Sequence, residues 1–120
     1  MKRVVAVVMT IIGVGAIALG SAQAADEGKE VTVKGDVLDM ACYLDHGAHG
    51  EKHAECAQTC ISSGLPVGLK GEDGKTYLLI GEHKPLNSEL AAHASQTISV
   101  KGKLVSRDGI NMIENATIVK

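Results

Sequence analysis

The sequence predicts a small, mainly β protein: a closed or partly open barrel of five strands with two helices, one of which carries cysteines and histidines and is inserted between strands 1 and 2. Three observations carry this expectation. Five β-favouring stretches follow one another within about 90 residues, a density that suits a small barrel. Two pairs of these stretches are joined by Asp-Gly turns, Asp73-Gly74 and Asp108-Gly109, which supply the positive φ a tight hairpin needs. Gly35 and Gly102 stand inside two long stretches, where a barrel strand can bend sharply.

The first strand is read over Glu30 to Met40, with Val31, Val33, Val37 and Leu38 as its β-favouring residues. Strict alternation puts Val31, Val33, Gly35 and Val37 on one face but Leu38, Met40 and Cys42 on the other. A bulge near Gly35 would return Leu38, Met40 and Cys42 to the buried side. Gly47 and Gly50 break the chain. Glu51 to Ser62 then holds Glu51, Lys52, Ala54, Glu55, Ala57 and Gln58, all good helix formers, and Gly64 is placed to end the helix. This gives one helix of about three turns. Pro66 to Lys70 and Lys75 to Ile80 form the first hairpin around Glu72-Asp73-Gly74. Asn87-Ser88-Glu89 introduces a short helix over Leu90 to Ala94 with a capping residue. Thr97 to Ser106 and Ile110 to Val119 form the second hairpin.

The last part of the chain carries a likeness to a known architecture: a helix after the third strand, then a bent Val100-Lys101-Gly102-Lys103-Leu104-Val105 strand paired through Arg107-Asp108-Gly109 with the final strand. Over residues 30–120 the chain resembles an OB-fold domain, and in particular the small exported OB-fold-like domain proteins of bacteria. The resemblance implies a five-stranded barrel and no particular activity, because OB-folds serve many functions. The helix between strands 1 and 2, with its Cys and His residues, departs from the common pattern.

The first residues read as an export signal. Met1-Lys2-Arg3 is positive, Val4 to Gly20 is free of charge, and Ala22-Gln23-Ala24 offers small residues for cleavage after Ala24. Residues 1–24 are therefore the expected signal peptide, 25–29 a polar tail, and 30–120 a single domain. The expected location is the periplasm or the exterior, with membrane attachment only if the 17-residue apolar run stays uncleaved. Loss of Lys2 and Arg3 leaves 10 basic residues against 14 acidic ones, a net charge of −4. With only Tyr43 and Tyr77 as aromatic residues, the domain lacks both the basic footprint and the stacking platforms that nucleic-acid binding uses.

Chemistry concentrates between Met40 and Cys60, which holds all three cysteines, Cys42, Cys56 and Cys60, and three of the five histidines, His46, His49 and His53. Thiolate and imidazole are the donors of zinc and copper sites. On a helix at about 100° per residue, His49, His53, Cys56 and Cys60 share one face, yet their stripe is about 16 Å long, too long for one metal to use all four. A mononuclear site therefore takes a helical pair and adds Cys42 from the end of the first strand, with His46 or Met40 as a further ligand. Cys42, Cys56 and Cys60 with His46 or His53 would suit zinc; the thioether of Met40, on the same strand face as Cys42, would favour copper(I).

Two other readings stay open. In an oxidising compartment Cys42 can pair with Cys56 or Cys60 and staple the helix to the barrel, closing a loop worth roughly 3 kcal/mol. The protein would then be a binding module for another periplasmic or membrane protein, or for a small ligand. A thiol redox function has less behind it, since Cys56-Ala57-Gln58-Thr59-Cys60 is CxxxC rather than CxxC. A free third thiol outside the cytoplasm favours a ligand role. No catalytic residue is assigned: there is no phosphate-cradling Gly-rich loop, no Ser, His and Asp motif, and no CxxCH haem attachment. Asp36, Asp39 and Asp45 read as solvated or capping residues, Tyr43 as a core residue, and His83 and His93 as surface groups.

Overall fold

The computed structural model describes residues 27–120. The predicted leader, residues 1–24, lies outside the described residues, as do residues 25 and 26 of the predicted tail. Five strands close a barrel in the order β1-β2-β3-β5-β4: β1 (Glu30–Asp39), β2 (Val67–Gly71), β3 (Thr76–Leu79), β4 (Thr97–Arg107) and β5 (Ile110–Val119). All pairings are antiparallel except β3 with β5. This is the expected OB-like barrel. Among the described residues no helix is long and apolar enough to cross a membrane.

β1 serves two neighbours. Its first part, Glu30 to Asp36, pairs with β4, and its second, Gly35 to Asp39, pairs with β2, so the strand turns the corner of the barrel at Gly35. A side chain at Gly35 would run into the Lys70 carbonyl and the Gly71 Cα, so glycine is required by the closeness of the two backbones. The register continues unbroken through this point, and the bulge expected near Gly35 is found instead in β5, where Asn115 and Ala116 lie between Glu114 and Thr117 opposite the single residue Gly102 of β4. Val37, Leu38 and Asp39 are all buried without any bulge, because α2 packs on this end of β1 and covers a face that strict alternation leaves to solvent.

Among the described residues there are three helices rather than the two expected. The additional one, α1 (Met40–His46), begins where the first strand was extended to Met40, and it takes Cys42 out of the strand and into a helix. Asp39 is its N-cap, with Oδ1 accepting from the Ala41 N–H at 3.0 Å, and Gly47 closes it with a left-handed φ of 73°. Both are ordinary helix-boundary signals, here hidden behind the β-favouring Val37-Leu38. The predicted three-turn helix begins as a 3-10 turn, Glu51–His53, and becomes α2 over Ala54–Ser62. His49 precedes both, cut off by Gly50 at φ 84°, so the helical stripe drawn from His49 to Cys60 starts only at His53.

α2 turns Ala57 and Ile61 into the core, where they meet Val37, Leu69, Tyr77, Leu79, Leu90, Val100, Leu104 and Ile113. This leaves Cys56 and Cys60, each one residue earlier, on the flank of the helix beside α1. The third helix, α3 (Asn87–Leu90), extends as a 3-10 turn through Ala91–His93 and packs against α2. Asn87 does not cap it. Its Nδ2 donates instead to the carbonyls of Ile61 at 2.9 Å and Leu65 at 2.7 Å, tying down the C-terminal end of α2, where the Ile61 carbonyl also accepts from the Gly64 N–H at 3.1 Å.

Replacing Asn87 with alanine removes both bonds at once. Each net hydrogen bond contributes about 1 kcal/mol, so Asn87→Ala should lower stability by about 1–2 kcal/mol. Thermal unfolding followed by far-UV circular dichroism should show this as a loss of roughly 4–15 °C for a domain of this size.

Candidate metal centre

The junction of β1 and α1 faces the flank of α2, and five donor side chains meet there. One group consists of Cys42, His53 and Cys56, with their ligand atoms within 4.8 Å of one another; a second consists of Asp39, Cys42 and Cys60 within the same limit. Cys42 belongs to both. The elements explain the convergence: the Asp39 cap fixes the start of α1, so Cys42 lies in its first turn, while His53, Cys56 and Cys60 follow at three- and four-residue steps along one side of α2. All three cysteines are free thiols.

The expected site residues divide as follows. Cys42, Cys56, Cys60 and His53 are brought together. His46 is exposed, with Nδ1 3.1 Å from Asp45 Oδ2, and His49 directs Nδ1 to the Gly47 carbonyl at 2.7 Å while Nε2 lies 3.4 Å from Lys70 Nζ. Neither belongs to the two groups. Met40 is not on a strand face shared with Cys42; it is buried in the first turn of α1 with its sulfur over Gly68 of β2, in the space a side chain there would fill. Tyr43 meets His49 edge-on at 5.9 Å between ring centres.

Asp39 is the residue that sequence reasoning undervalued. It does cap, but it is not solvated: its side chain is 0% exposed, and Oδ2 faces His53 Nε2 at 3.6 Å. Among the described residues, these two atoms are the buried side-chain polar atoms without a hydrogen-bond partner. Buried polar groups are nearly always satisfied, and a buried carboxylate is far more costly than a neutral group to leave so. A weak signal was available in the sequence, an N-capping Asp three residues before Cys42. Its burial depends on α2 folding back over β1, which no local pattern reveals.

Charge is balanced by the thiols. Burial pushes the Asp39 carboxyl upward, but hydrogen bonding from the Cys42 and Cys60 thiols and from the Ala41 and Cys42 N–H groups outweighs it, leaving a net shift below the usual carboxylate range. The same contact, joined by burial and by the charges of Asp39, Cys60 and Cys56, pushes the Cys42 thiol up to about 12. Burial first, then Asp39, also raises Cys60. In the metal-free protein the thiols near Asp39 thus hold their protons, and weak S–H donors stand where a cation would satisfy the carboxylate better.

The fold and this cluster define a mainly β, OB-like barrel whose Cys and His groups lie close enough together to bind a metal ion. Comparison with family models, curated proteins and solved structures finds no match to the chain.

The raised thiol has a direct consequence for reactivity, since only the thiolate is nucleophilic. In metal-free, reduced protein, alkylation of Cys42 should stay slow through neutral pH and accelerate only as pH climbs toward 12. Asp39→Asn removes the negative charge and returns Cys42 toward the ordinary 9.0, so labelling at about pH 8.5 should be roughly tenfold or more faster, in line with at least one pK unit of recovery. Mass mapping of the modified peptides reads Cys42 separately from exposed Cys56. An unchanged Cys42 rate would mean that the carboxylate does not hold the thiol proton.

Proposed function

We propose that this protein is an exported, non-catalytic metal carrier that binds zinc or copper(I) through Cys42, Cys56, Cys60 and His53. One observation carries the proposal: three thiols and an imidazole fall into two 4.8 Å groups that share Cys42, beside a buried carboxylate whose Oδ2 has no well-aligned hydrogen-bond partner. Tetrahedral zinc with Zn–S bonds of about 2.3 Å holds its sulfurs ~3.8 Å apart. Within either three-donor group the ligand atoms already lie within 4.8 Å of one another, so each group needs shifts of about 1 Å or less to close on an ion. Imidazole and the nearby carboxylate favour zinc, whereas copper(I) prefers soft sulfur donors alone.

Export is supported by the leader-like residues 1–24 and carriage by the exposure of the site. Cys56 is exposed and Cys42, His53 and Cys60 are half-buried, so an incoming donor from a partner protein has a path to the ion. Closed structural zinc sites offer no such path. The second reading, a disulfide-stapled binding module, is favoured by the same closeness of Cys42 to Cys56 and Cys60.

Thiol counting separates the two. Reduced protein purified without a histidine tag should show three titratable thiols, take up about one equivalent of zinc or copper(I), and then protect at least two of them from titration, since bound thiolates must first release their protons. A disulfide module would instead lose two thiols in the native protein, with no change on adding metal. Binding of less than about a tenth of an equivalent after reconstitution would end the carrier proposal. Competition between the two metals then assigns the cargo. Cys42→Ser should abolish stable binding, whereas His46→Ala and His49→Ala should each weaken it by less than roughly tenfold, the lower limit for partners of a metal's own ligands.

A further inference from the structure

The four donors of the carrier site are accompanied by a fifth, Asp39, and a tetrahedral ion has no place for five. The two donor groups differ in depth: Cys42, His53 and Cys56 reach the surface through exposed Cys56, while Asp39, Cys42 and Cys60 end on a side chain that is 0% exposed. Resting on the carrier reading above, we infer that a single divalent ion occupies two positions that share Cys42, an outer one on His53 and Cys56 and an inner one on Asp39 and Cys60. The ion enters and leaves through the outer position.

The geometry suits such a handover. Asp39 Oδ2 and His53 Nε2 are 3.6 Å apart, so carboxylate and imidazole can exchange on one ion with a displacement of a few ångströms and no change in the barrel. In the inward step the bonds from the ion to Asp39 oxygen and Cys60 sulfur form while those to His53 nitrogen and Cys56 sulfur break, and the Cys42 bond persists. Cys60 loses a proton as it binds and Cys56 gains one as it leaves. No electron is transferred, and the ion keeps its charge.

Asp39 is well placed for this duty because its two oxygens have separate tasks. Oδ1 holds the Ala41 N–H and with it the start of α1, whereas Oδ2 is buried, has no well-aligned hydrogen bond, and faces His53 Nε2 across 3.6 Å. Capping alone needs only one oxygen and no charge. Asparagine caps as well as aspartate, so Asp39→Asn keeps the helix start while removing the anionic donor.

Cobalt(II) is the probe, loaded at about one equivalent under reducing conditions and removed with excess EDTA while the sulfur-to-cobalt charge-transfer band is followed. The wild-type protein should release cobalt in two phases. Asp39→Asn and Cys60→Ser should each remove the slow phase and still bind cobalt. Cys56→Ser should remove the fast phase and slow uptake, because the outer position loses its exposed thiolate. Far-UV circular dichroism checks the fold, and if Asp39→Asn is not folded, Cys60→Ser alone decides the fate of the slow phase. A single phase in the wild type, a slow phase that survives both substitutions, or binding of about two ions would each overturn the two-position scheme while leaving the carrier function standing. A wild-type protein that takes up no cobalt, zinc or copper(I) would overturn both.

Discussion

The arrangement depends on one buried charge, the carboxylate of Asp39 at the point where β1 ends and α1 begins. Serine, threonine or asparagine would cap the helix comparably, and none would carry the desolvation cost of an anion. Taking a carboxylate out of water costs several kcal/mol even after local relaxation. Here that cost is met by N–H groups at the helix start and by the neighbouring thiols, which the carboxylate in turn holds protonated. Cap, thiol cluster and strand end are thus a single electrostatic unit. Removing the Asp39 side chain acts on all of them together, whereas asparagine keeps the cap and removes only the charge.

The barrel holds this unit in place from several directions. β1 is clamped between β2 and β4, and the close passage at Gly35 sets the direction in which its last residues point. The inserted segment is tied at its two ends: the Met40 N–H donates to the Pro66 carbonyl at 3.0 Å, and Asn87 secures the carbonyls that follow α2. Between these ties, Ala57 and Ile61 anchor α2 in the core. Cys56 and Cys60 are positioned as neighbours in sequence of two core residues, so their placement follows from hydrophobic packing and needs no metal.

How far the sequence discloses this depends on whether a signal is local. Both Asp-Gly hairpins stand where their turn chemistry puts them, with Asp108 at φ 51° and Gly109 at φ 82° forming the tight turn of β4 and β5. The Cys and His content between Met40 and Cys60 pointed to the right segment, and Cys42 meets Cys56, Cys60 and His53 as expected, though from a helix. α1 was obscured because Val37-Leu38 reads as strand and the alternation continues through Met40 to Cys42; Asp39 and Gly47, the boundary residues, carry the competing signal. Asn87 looked like a cap because it precedes a helix, yet its amide serves carbonyls more than 20 residues away. Asp39 was the deepest omission. Whether an aspartate is solvated or buried is decided by what folds over it, and α2 does so from a position 15 residues further along the chain.

The independence of the core from the cluster bears on what a metal would do here. Small domains that need zinc to fold lack a sufficient core of their own. In this chain the buried cluster runs continuously from Val37 through Ile61, Leu69, Leu90, Val100 and Ile113 and includes none of the three cysteines or His53. The barrel is closed by backbone pairing on every side. A metal is therefore not the element that completes the fold, and its binding energy is free to be divided between retention and release. On the proposed carrier reading, an exposed sulfur at one end of the cluster and a buried carboxylate at the other would be the chemical means for that division, the first open to ligand exchange and the second opposing it.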